Sequence, residues 1–408
     1  MGENGSVNLP SPPTVARSST DGRVGTALAA LVLGGVGIGV TEFVTMGLLP
    51  EIAGGIGTTI PQAGHTISAY ALGVVVGAPT IAIFGNRLPR RELLVALMVL
   101  FAVGNALSAV ATSYPLLMLA RLVAGIPHGA FFGIASIVAF DIVASGRGGW
   151  AVSRIMLGIP IANVAGVPLA TWLGQQAGWR FAYWLVAAIG VLTAVLVSIV
   201  VPHQPADTEA DVRSELSAFA DSQVWLTLLV GSVGFGGVFA MYSYISPILR
   251  NQTGLPADAV PIYLFVYGVG GLLGTMIAGR LVDLSVLRTL VGSTIATGAS
   301  LALFAWAADW AIPAGVVLLL VCISVSAFVL ALQLRLMEVA GRARTLGAAG
   351  NHAALNIANA LGAWLGGLVL AAGWGWQAPS LVGAGLSAAG LVVLFVSLRI
   401  HRGRTTLD

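Results

Sequence analysis

The sequence predicts an all-α integral membrane protein of about twelve transmembrane helices, arranged as two pseudo-symmetric six-helix bundles. Three observations lead there. Of the 408 residues, 57% are hydrophobic and 9% charged, with a mean hydropathy of +0.93, whereas a soluble domain carries roughly 25% charged residues. Apolar runs long enough to cross a bilayer follow one another, separated by short polar joints. The second half of the chain repeats the first.

Composition also closes off several kinds of chemistry. All 19 basic residues are arginine. Without lysine there is no Walker A phosphate loop and no Schiff base to retinal or pyridoxal phosphate. Cys322 is the single cysteine, so no internal disulfide can form. The 5 histidines fall at no metal-ligand spacing, and neither cofactor nor metal is expected. The formal charge of +3 and pI near 9.3 come from arginines scattered through short loops, a pattern of membrane topology and not of nucleic-acid binding. The 53 glycines suit close helix–helix approach in lipid.

In chain order, residues 1–23 are Ser/Pro/Gly-rich and read as a disordered cytoplasmic N-terminus, not a cleavable signal. Spans of bilayer length then cover Gly25–Glu51, Gln62–Phe84, Leu93–Thr112, Tyr114–Val143, Ala151–Leu173 and Phe181–Val201. Together residues 24–201 form the first bundle. The polar loop 202–221, with Asp207, Glu209, Asp211, Arg213 and Glu215, divides the chain. The second bundle, 222–400, holds Ser222–Leu249, Ala257–Ala278, Leu287–Ala308, Ile312–Leu334, Thr345–Ala371 and Pro379–Leu398, and 401–408 is the tail. Arg87, Arg90, Arg91, Arg147, Arg154, Arg213, Arg280, Arg288, Arg335, Arg342 and Arg344 lie on one side, with the arginines of both termini. Only Arg180 and Arg250 lie on the other. The bias places both termini and the central loop in the cytoplasm.

The repeat is readable residue by residue. At one offset Gly37, Gly39, Pro50 and Gly57 of span one fall on Gly234, Gly236, Pro247 and Gly254 of span seven. At nearly the same offset Ile161-Ala162-Asn163 and Gly166 of span five fall on Ile357-Ala358-Asn359 and Gly362 of span eleven. Gly77 and Gly85 of span two fall on Gly271 and Gly279 of span eight. Parallel six-helix repeats point to a transporter with its site at the repeat interface.

Glu42, inside the apolar run Gly34–Pro50, is the residue the rest of the chain would house. A carboxylate at that depth is neutral, paired, or open to a watery cavity. Its repeat partner is Phe239, so the acid belongs to one half only, which favours function over packing. A protonated structural hydrogen-bond donor is the alternative. Arg121 in span four lies roughly 10 Å below the outer surface, at a depth similar to that of Glu42, and the two would pair if spans one and four are neighbours. His128, two turns deeper on the same face, is open to either proton relay or a structural hydrogen bond. The repeat-related Asn163 and Asn359 are natural bonders to a substrate or to another helix. Phe239, Tyr242, Tyr263 and Tyr267, with Phe235 and Tyr244, make an aromatic wall suited to amphipathic aromatic ligands as well as to packing. Gly158, Gly166 and Pro168, with Pro160, mark a bent fifth span suited to rocking. Asp141 is placed to pair with a loop arginine and steady the cytoplasmic side.

These motifs resemble the major facilitator superfamily, specifically its twelve-span drug:proton antiporters, over nearly the whole chain from span one. TEFVTMGLLPEIA (Thr41–Ala53) is similar to the signature of the branch holding chloramphenicol-efflux and arabinose/sugar-efflux permeases. RLVAGIPHGAFFG (Arg121–Gly133) resembles the fourth-span motif whose arginine is implicated in proton coupling, a role the resemblance gives to Arg121. Gly158–Gly174 followed by GWR (Gly178–Arg180) resembles the antiporter motif, with Gly166-Val-Pro168 in place of an adjacent Gly-Pro. NIANALGAWLGG (Asn356–Gly367) is typical of the branch. The loop after span two, Gly85-Asn86-Arg87-Leu88-Pro89-Arg90, lacks the family's aspartate, which the second-half copy keeps as Asp283. The cytoplasmic charge network, including Arg90, would then lean on Asp283.

The resemblance implies a major facilitator fold and a proton-driven efflux antiporter in a bacterial inner membrane, monomeric, with small molecules, protons and lipid as its partners. Chloramphenicol-like amphipathic drugs are the expected substrates, and sugars or other metabolites the alternative. An enzyme is not expected, since neither His-Glu-x-x-His nor Gly-x-Ser-x-Gly occurs. A receptor or scaffold would carry a sizeable soluble domain, and no loop here is long enough to form one.

Overall fold

A computed structural model describes residues 17–84, 88–144, 146–205, 222–340 and 344–405. Arg87, Gly85, Asn86, Arg342, and the greater part of the N-terminal segment and central loop lie outside them. The twelve helices are α1 (Arg17–Gly47), α2 (Ile60–Phe84), α3 (Arg90–Val110), α4 (Tyr114–Ile142), α5 (Gly148–Ala177) and α6 (Trp179–Val200) in one half. The other half holds α7 (Ser222–Tyr242), α8 (Val260–Leu284), α9 (Val286–Ala307), α10 (Ala311–Val339), α11 (Arg344–Ala371) and α12 (Ala378–Thr405). Among the described residues, 11 helices are long and apolar enough to cross a membrane; α2, with Pro61, Gln62, His65 and Thr66 in its first turns, completes the set. Most boundaries follow the apolar runs to within about a turn; α8 and α10 run on to Leu284 and Val339, past the expected Ala278 and Leu334, and the seventh span breaks after Tyr242, with Ile245–Asn251 a separate short helix. Helix α1 already begins at Arg17, not near residue 23, and α12 continues to Thr405 into the expected tail. These segments carry the hydrogen-bond ladder of a long apolar helix a turn or more beyond the lipid-matched stretch.

The packing obeys the repeat. Helix α2 lies on α4, α3 on α6 and α1 on α6; their counterparts α8 on α10, α9 on α12 and α7 on α12 do the same. The halves meet along two seams, α2–α11 and α5–α8, which a two-fold exchanging the halves maps onto each other. The repeated glycines occupy equivalent seats. Gly39 faces Ile159 and Ala162 of α5, and Gly236 faces Ala358 and Leu361 of α11. Gly77 abuts α4 at Ile126, and Gly271 abuts α10 at Cys322 and Ser326. After the short helix Leu49–Ile56 that extends α1, Gly57 has φ 74°, and Gly254 after Ile245–Asn251 has φ 73°. That left-handed conformation is open to glycine and strained for other residues.

Gly125 of α4, one turn below Arg121, lies against the backbone of Tyr70 on α2, whose carbonyl carbon a Cβ would meet at 3.0 Å. Gly125→Ala therefore separates α4 from α2. The expected result is a lower thermal midpoint in detergent, corresponding to an overpacking cost of about 1–3 kcal/mol.

Both α5 and α7 are interrupted near mid-membrane. In α5 the prolines at 160 and 168 each withdraw an N–H from the ladder, and between them Ala162–Gly166 widens into a π turn that contains Asn163. Such turns recur at functional sites. Gly158 packs against the backbone of Gly35 and Val36, and Gly166 against Val40, so the glycines expected to loosen this helix also seat it on α1. Helix α7 breaks at Phe235 and again at Ser243–Tyr244 before Ile245–Asn251.

Candidate functional site at the interface of the halves

The arginine-poor end of the bundle, with the connections after α1, α3 and α7, is called the outer end. Arg121 is fully buried about two turns in from it. Its Nη1 donates to Thr41 Oγ1 (2.9 Å) and its Nη2 to the Thr41 carbonyl (3.0 Å). Thr41 Oγ1 in turn donates to Asn105 Oδ1 of α3 (2.5 Å). The guanidinium stacks on the ring of Tyr70 from α2 (4.4 Å) and stands 5.3 Å from that of Tyr183 on α6, whose hydroxyl bonds Thr45 (2.8 Å). Cation–π contacts are strongest where water is excluded. The expected Glu42–Arg121 ion pair is not formed. Arg121 takes both acceptors of the preceding residue, and the 100° turn between residues 41 and 42 sends the carboxylate elsewhere.

Glu42 turns instead to the opposite half, where Asn359 Nδ2 of α11 donates to its Oε1 at 3.3 Å. The carboxylate, 7% exposed, has no ion-pair partner among the described residues, and Asn359 Oδ1 is buried with no partner. Asn163, the repeat mate, is half-buried on the π turn, its carbonyl on Gly268 of α8 and its Oδ1 also unpartnered. In the repeat, Asn163 corresponds to Asn359 and Phe239 to Glu42, so this amide has no equivalent carboxylate.

An aromatic wall adjoins the acid. Phe43 stacks on Phe239 (6.4 Å) and meets Tyr242 edge-on (6.1 Å), Tyr242 stacks on Tyr267 (4.1 Å), and Phe235 meets Phe239 edge-on (5.2 Å). Phe43 and Phe235 keep 9% exposure and Tyr267 6%, whereas Tyr244 has none. The wall and the carboxylate of Glu42 thus both keep a small residual exposure. Tyr263 is not part of it. One turn outward on α8, it lines a shallow outward-facing groove with Val266, Ile312 and Gly315, and its hydroxyl donates to Ala311 O (2.7 Å). Four residues advance a helix by 40° beyond a full turn, enough at that level to carry Tyr263 from α7 to α10. Tyr244 donates to Ala363 O of α11 (2.8 Å) and fills the space above Gly64 and Gly367, so it belongs to the seam.

His128 Nδ1 bonds Tyr70 OH (3.0 Å), which extends the Arg121 cluster one step inward. Beyond it, Phe132 lies 5.7 Å from His128 and stacks on His352 of α11 at 6.3 Å, a contact between the halves. His65, at the outer end of α2, bonds Tyr114 OH (2.9 Å).

At the outer end the halves are tied by Arg250 Nη1 to Glu51 Oε1 (2.7 Å) and by Gln175 Nε2 to Ala257 O (2.8 Å), and deeper, beside Asn359, by Ser68 Oγ to Ala360 O (3.0 Å). At the inner end Arg90 Nη1 meets Asp141 Oδ2 at 2.6 Å. Arg90 is the first residue of α3, so this pair joins two helices of one half and does not bridge the halves. Asp283 is exposed near the end of α8, and among the described residues it makes no hydrogen bond or ion pair. Among the described residues, charge pairing at this end includes Arg90–Asp141, because α3 and α4 are adjacent and bring their ends together, whereas Arg87, Arg213 and Arg342, which could meet Asp283, lie outside them.

Sequence reasoning missed Thr41, Asn105, Tyr70, Tyr183 and the Glu51–Arg250 pair. Asn105 did carry a signal, a carboxamide inside the apolar LFAVGNALSAV run. Glu51 and Arg250 carried another, as opposite charges at repeat-equivalent helix ends on the arginine-poor side.

Residues 31–350 match the family model of the Major Facilitator Superfamily. The inner membrane transport protein YdhP of Escherichia coli is 39% identical over 372 residues, covering 91% of this chain and 96% of that protein. A chloramphenicol resistance protein of Streptomyces lividans is 33% identical over 250 residues, 60% of this chain and 64% of that one. Among solved structures, the nucleoside transporter NupG superposes with a TM-score of 0.74 at 14% identity, over 91% of this chain and 99% of its own, a likeness of fold. These matches agree with the motif resemblance and with the two-fold packing of six and six helices: the chain is a multi-pass membrane transporter of the major facilitator superfamily.

Proposed function

We propose that this transporter exports small amphipathic molecules, chloramphenicol-like in character, in exchange for protons by alternating access. The observation that carries the reading is Glu42, a buried carboxylate with no ion-pair partner, held between the halves by one amide and bordered by an aromatic wall. An acid so placed exchanges its proton with whichever side the two halves open it to. The wall of Phe43, Phe239, Tyr242 and Tyr267 offers the apolar surface an aromatic ligand needs, and Asn163 and Asn359 offer polar anchors. Arg121 biases Glu42 through Thr41, and His128 extends that cluster inward. Similarity to a chloramphenicol resistance protein supports the substrate class. The arginine distribution supports an inner-membrane protein with both termini cytoplasmic. A monomer suffices, since both halves of the site lie in one chain.

In this reading the Glu51–Arg250 pair holds the outer end shut. The side chains are partly exposed, 21% and 33%, so the pair contributes at most about 1 kcal/mol. Arg250→Gln is then expected to raise the outward-open population by up to about fivefold. Spin-label distances across the outer ends, with the buried Cys322 as the only native thiol, would read the shift. The exchange Glu51→Arg with Arg250→Glu should reverse it. An unchanged distance distribution in Arg250→Gln would remove the pair from the closure.

The proposal itself is tested by adding chloramphenicol, then a panel of aromatic drugs and sugars, to energised everted vesicles. A drug that dissipates the pH gradient in a protein-dependent manner is the expected result. Response to sugars alone would replace the substrate class, and response to none would refute proton-coupled efflux of these compounds.

A further inference from the structure

Glu42 and Asn359 meet at a bond whose direction depends on whether Glu42 holds a proton. A carboxylate can only accept, so an ionised Glu42 requires the amide NH2 of Asn359, the arrangement seen at 3.3 Å. That leaves Asn359 Oδ1, buried and without a partner, as an acceptor. A protonated Glu42 carries an O–H, and the pair is equally well made with that hydroxyl donating to Asn359 Oδ1. The amide must then rotate by a half turn, and its NH2 takes the place of the free oxygen. A terminal amide torsion is broad and two-fold, so the rotation itself meets little intrinsic resistance.

We propose that Asn359 is the polarity switch of the site: an acceptor toward the ligand when Glu42 is ionised, a donor when Glu42 is protonated. The inference rests on the efflux reading and deepens it by naming the ligand chemistry. The switch selects neutral aromatic molecules that carry N–H or O–H donors. Such a ligand satisfies the orphan oxygen while Glu42 is charged, and faces a competing donor once Glu42 takes a proton. Proton and substrate thereby exclude one another without touching the same atom. No covalent bond changes, and the proton stays on the carboxyl. Asn163 supplies the contrast: it has the same unpartnered oxygen, but the repeat mate of Glu42 is Phe239, so the second half has no acid to toggle it.

The groups that could impose a pH response of their own on Glu42 are limited. Arg121 of α4 approaches through Thr41 and remains charged. Tyr70 of α2 and Tyr183 of α6 lie against that guanidinium. Tyr242 and Tyr267 of α7 and α8 stand beyond Phe43. His128 of α4 reaches the Arg121 cluster through Tyr70, and His352 of α11 lies two turns inward from Asn359 against Phe132, so the Asn359→Leu comparison separates their titration from that of Glu42.

The test uses the purified native transporter and two probes, chloramphenicol and its analogue methylated at the hydroxyl and amide donors, with binding measured by equilibrium dialysis. Chloramphenicol is expected to bind about tenfold more weakly at about pH 5.5 than at about pH 8.5, and the analogue to change by less than about threefold, because one mismatched hydrogen bond is worth about a decade in affinity. Asn359→Leu should flatten the chloramphenicol response, and Asn359→Gln, which keeps an amide, should restore part of it. Equal pH responses for the two probes, or a native response in Asn359→Leu, overturns the switch and leaves efflux standing. Absence of binding by both probes at either pH refutes the chloramphenicol-like substrate class, and the switch falls with it.

Discussion

Arg121→Met is expected to abolish transport and to lower the thermal midpoint of the purified protein. The arginine makes two hydrogen bonds from a charged group to Thr41, and each such bond contributes about 1.5–3 kcal/mol. Methionine removes both, leaves the Thr41 carbonyl with only its helical N–H, and removes the cation between the rings of Tyr70 and Tyr183. The destabilisation should reach about 3 kcal/mol or more. Arg121→Lys keeps the charge and loses the fork, because an ammonium cannot reach both Thr41 acceptors while stacking flat on Tyr70. Proteoliposome uptake with either variant is expected to fall below about 1% of native, a barrier increase of about 3 kcal/mol. Thermal melts separate the two, with Arg121→Lys closer to native. Substantial transport by Arg121→Met would show that the cluster only packs α1 against α4.

Glu42→Gln should separate coupling from fold. Glutamine has the same shape and can face Asn359 with either end of its amide, so the contact to α11 survives. The burial penalty of a charged carboxylate disappears, so the thermal midpoint should stay the same or rise. Substrate–substrate exchange across a proteoliposome membrane is expected to persist at higher substrate concentration, because the aromatic wall and the seams are untouched. Accumulation driven by a pH gradient should vanish. Loss of exchange together with accumulation would place Glu42 in substrate binding alone.

Much of this molecule was legible because lipid makes simple demands. A span must be apolar for about 20 residues, so helix bounds followed from run lengths. A charge inside such a run needs a reason, so Glu42 and Arg121 stood out. Repeat offsets implied the two-fold, and the glycine seats and paired seams then followed it. Helix rotation was not legible. Thr41 and Glu42 are neighbours in sequence, and which of them faces Arg121 depends on how α1 is turned against α4 and α11, a property of the packed bundle. The same holds for Tyr263, which shares a stripe with Tyr267 yet lies beyond the level at which α7 covers α8. Contacts between halves, such as Glu51–Arg250 and Phe132–His352, join residues far apart in sequence that only the closed seams bring together.

The most direct test of the central claim, that Glu42 carries the exchanged proton, is substrate-triggered proton release from energised everted vesicles holding either the native protein or Glu42→Gln at equal expression. The account predicts that chloramphenicol collapses the gradient with the native protein and leaves it intact with the variant. Equal collapse with both would assign the proton to another group and make Glu42 a structural residue.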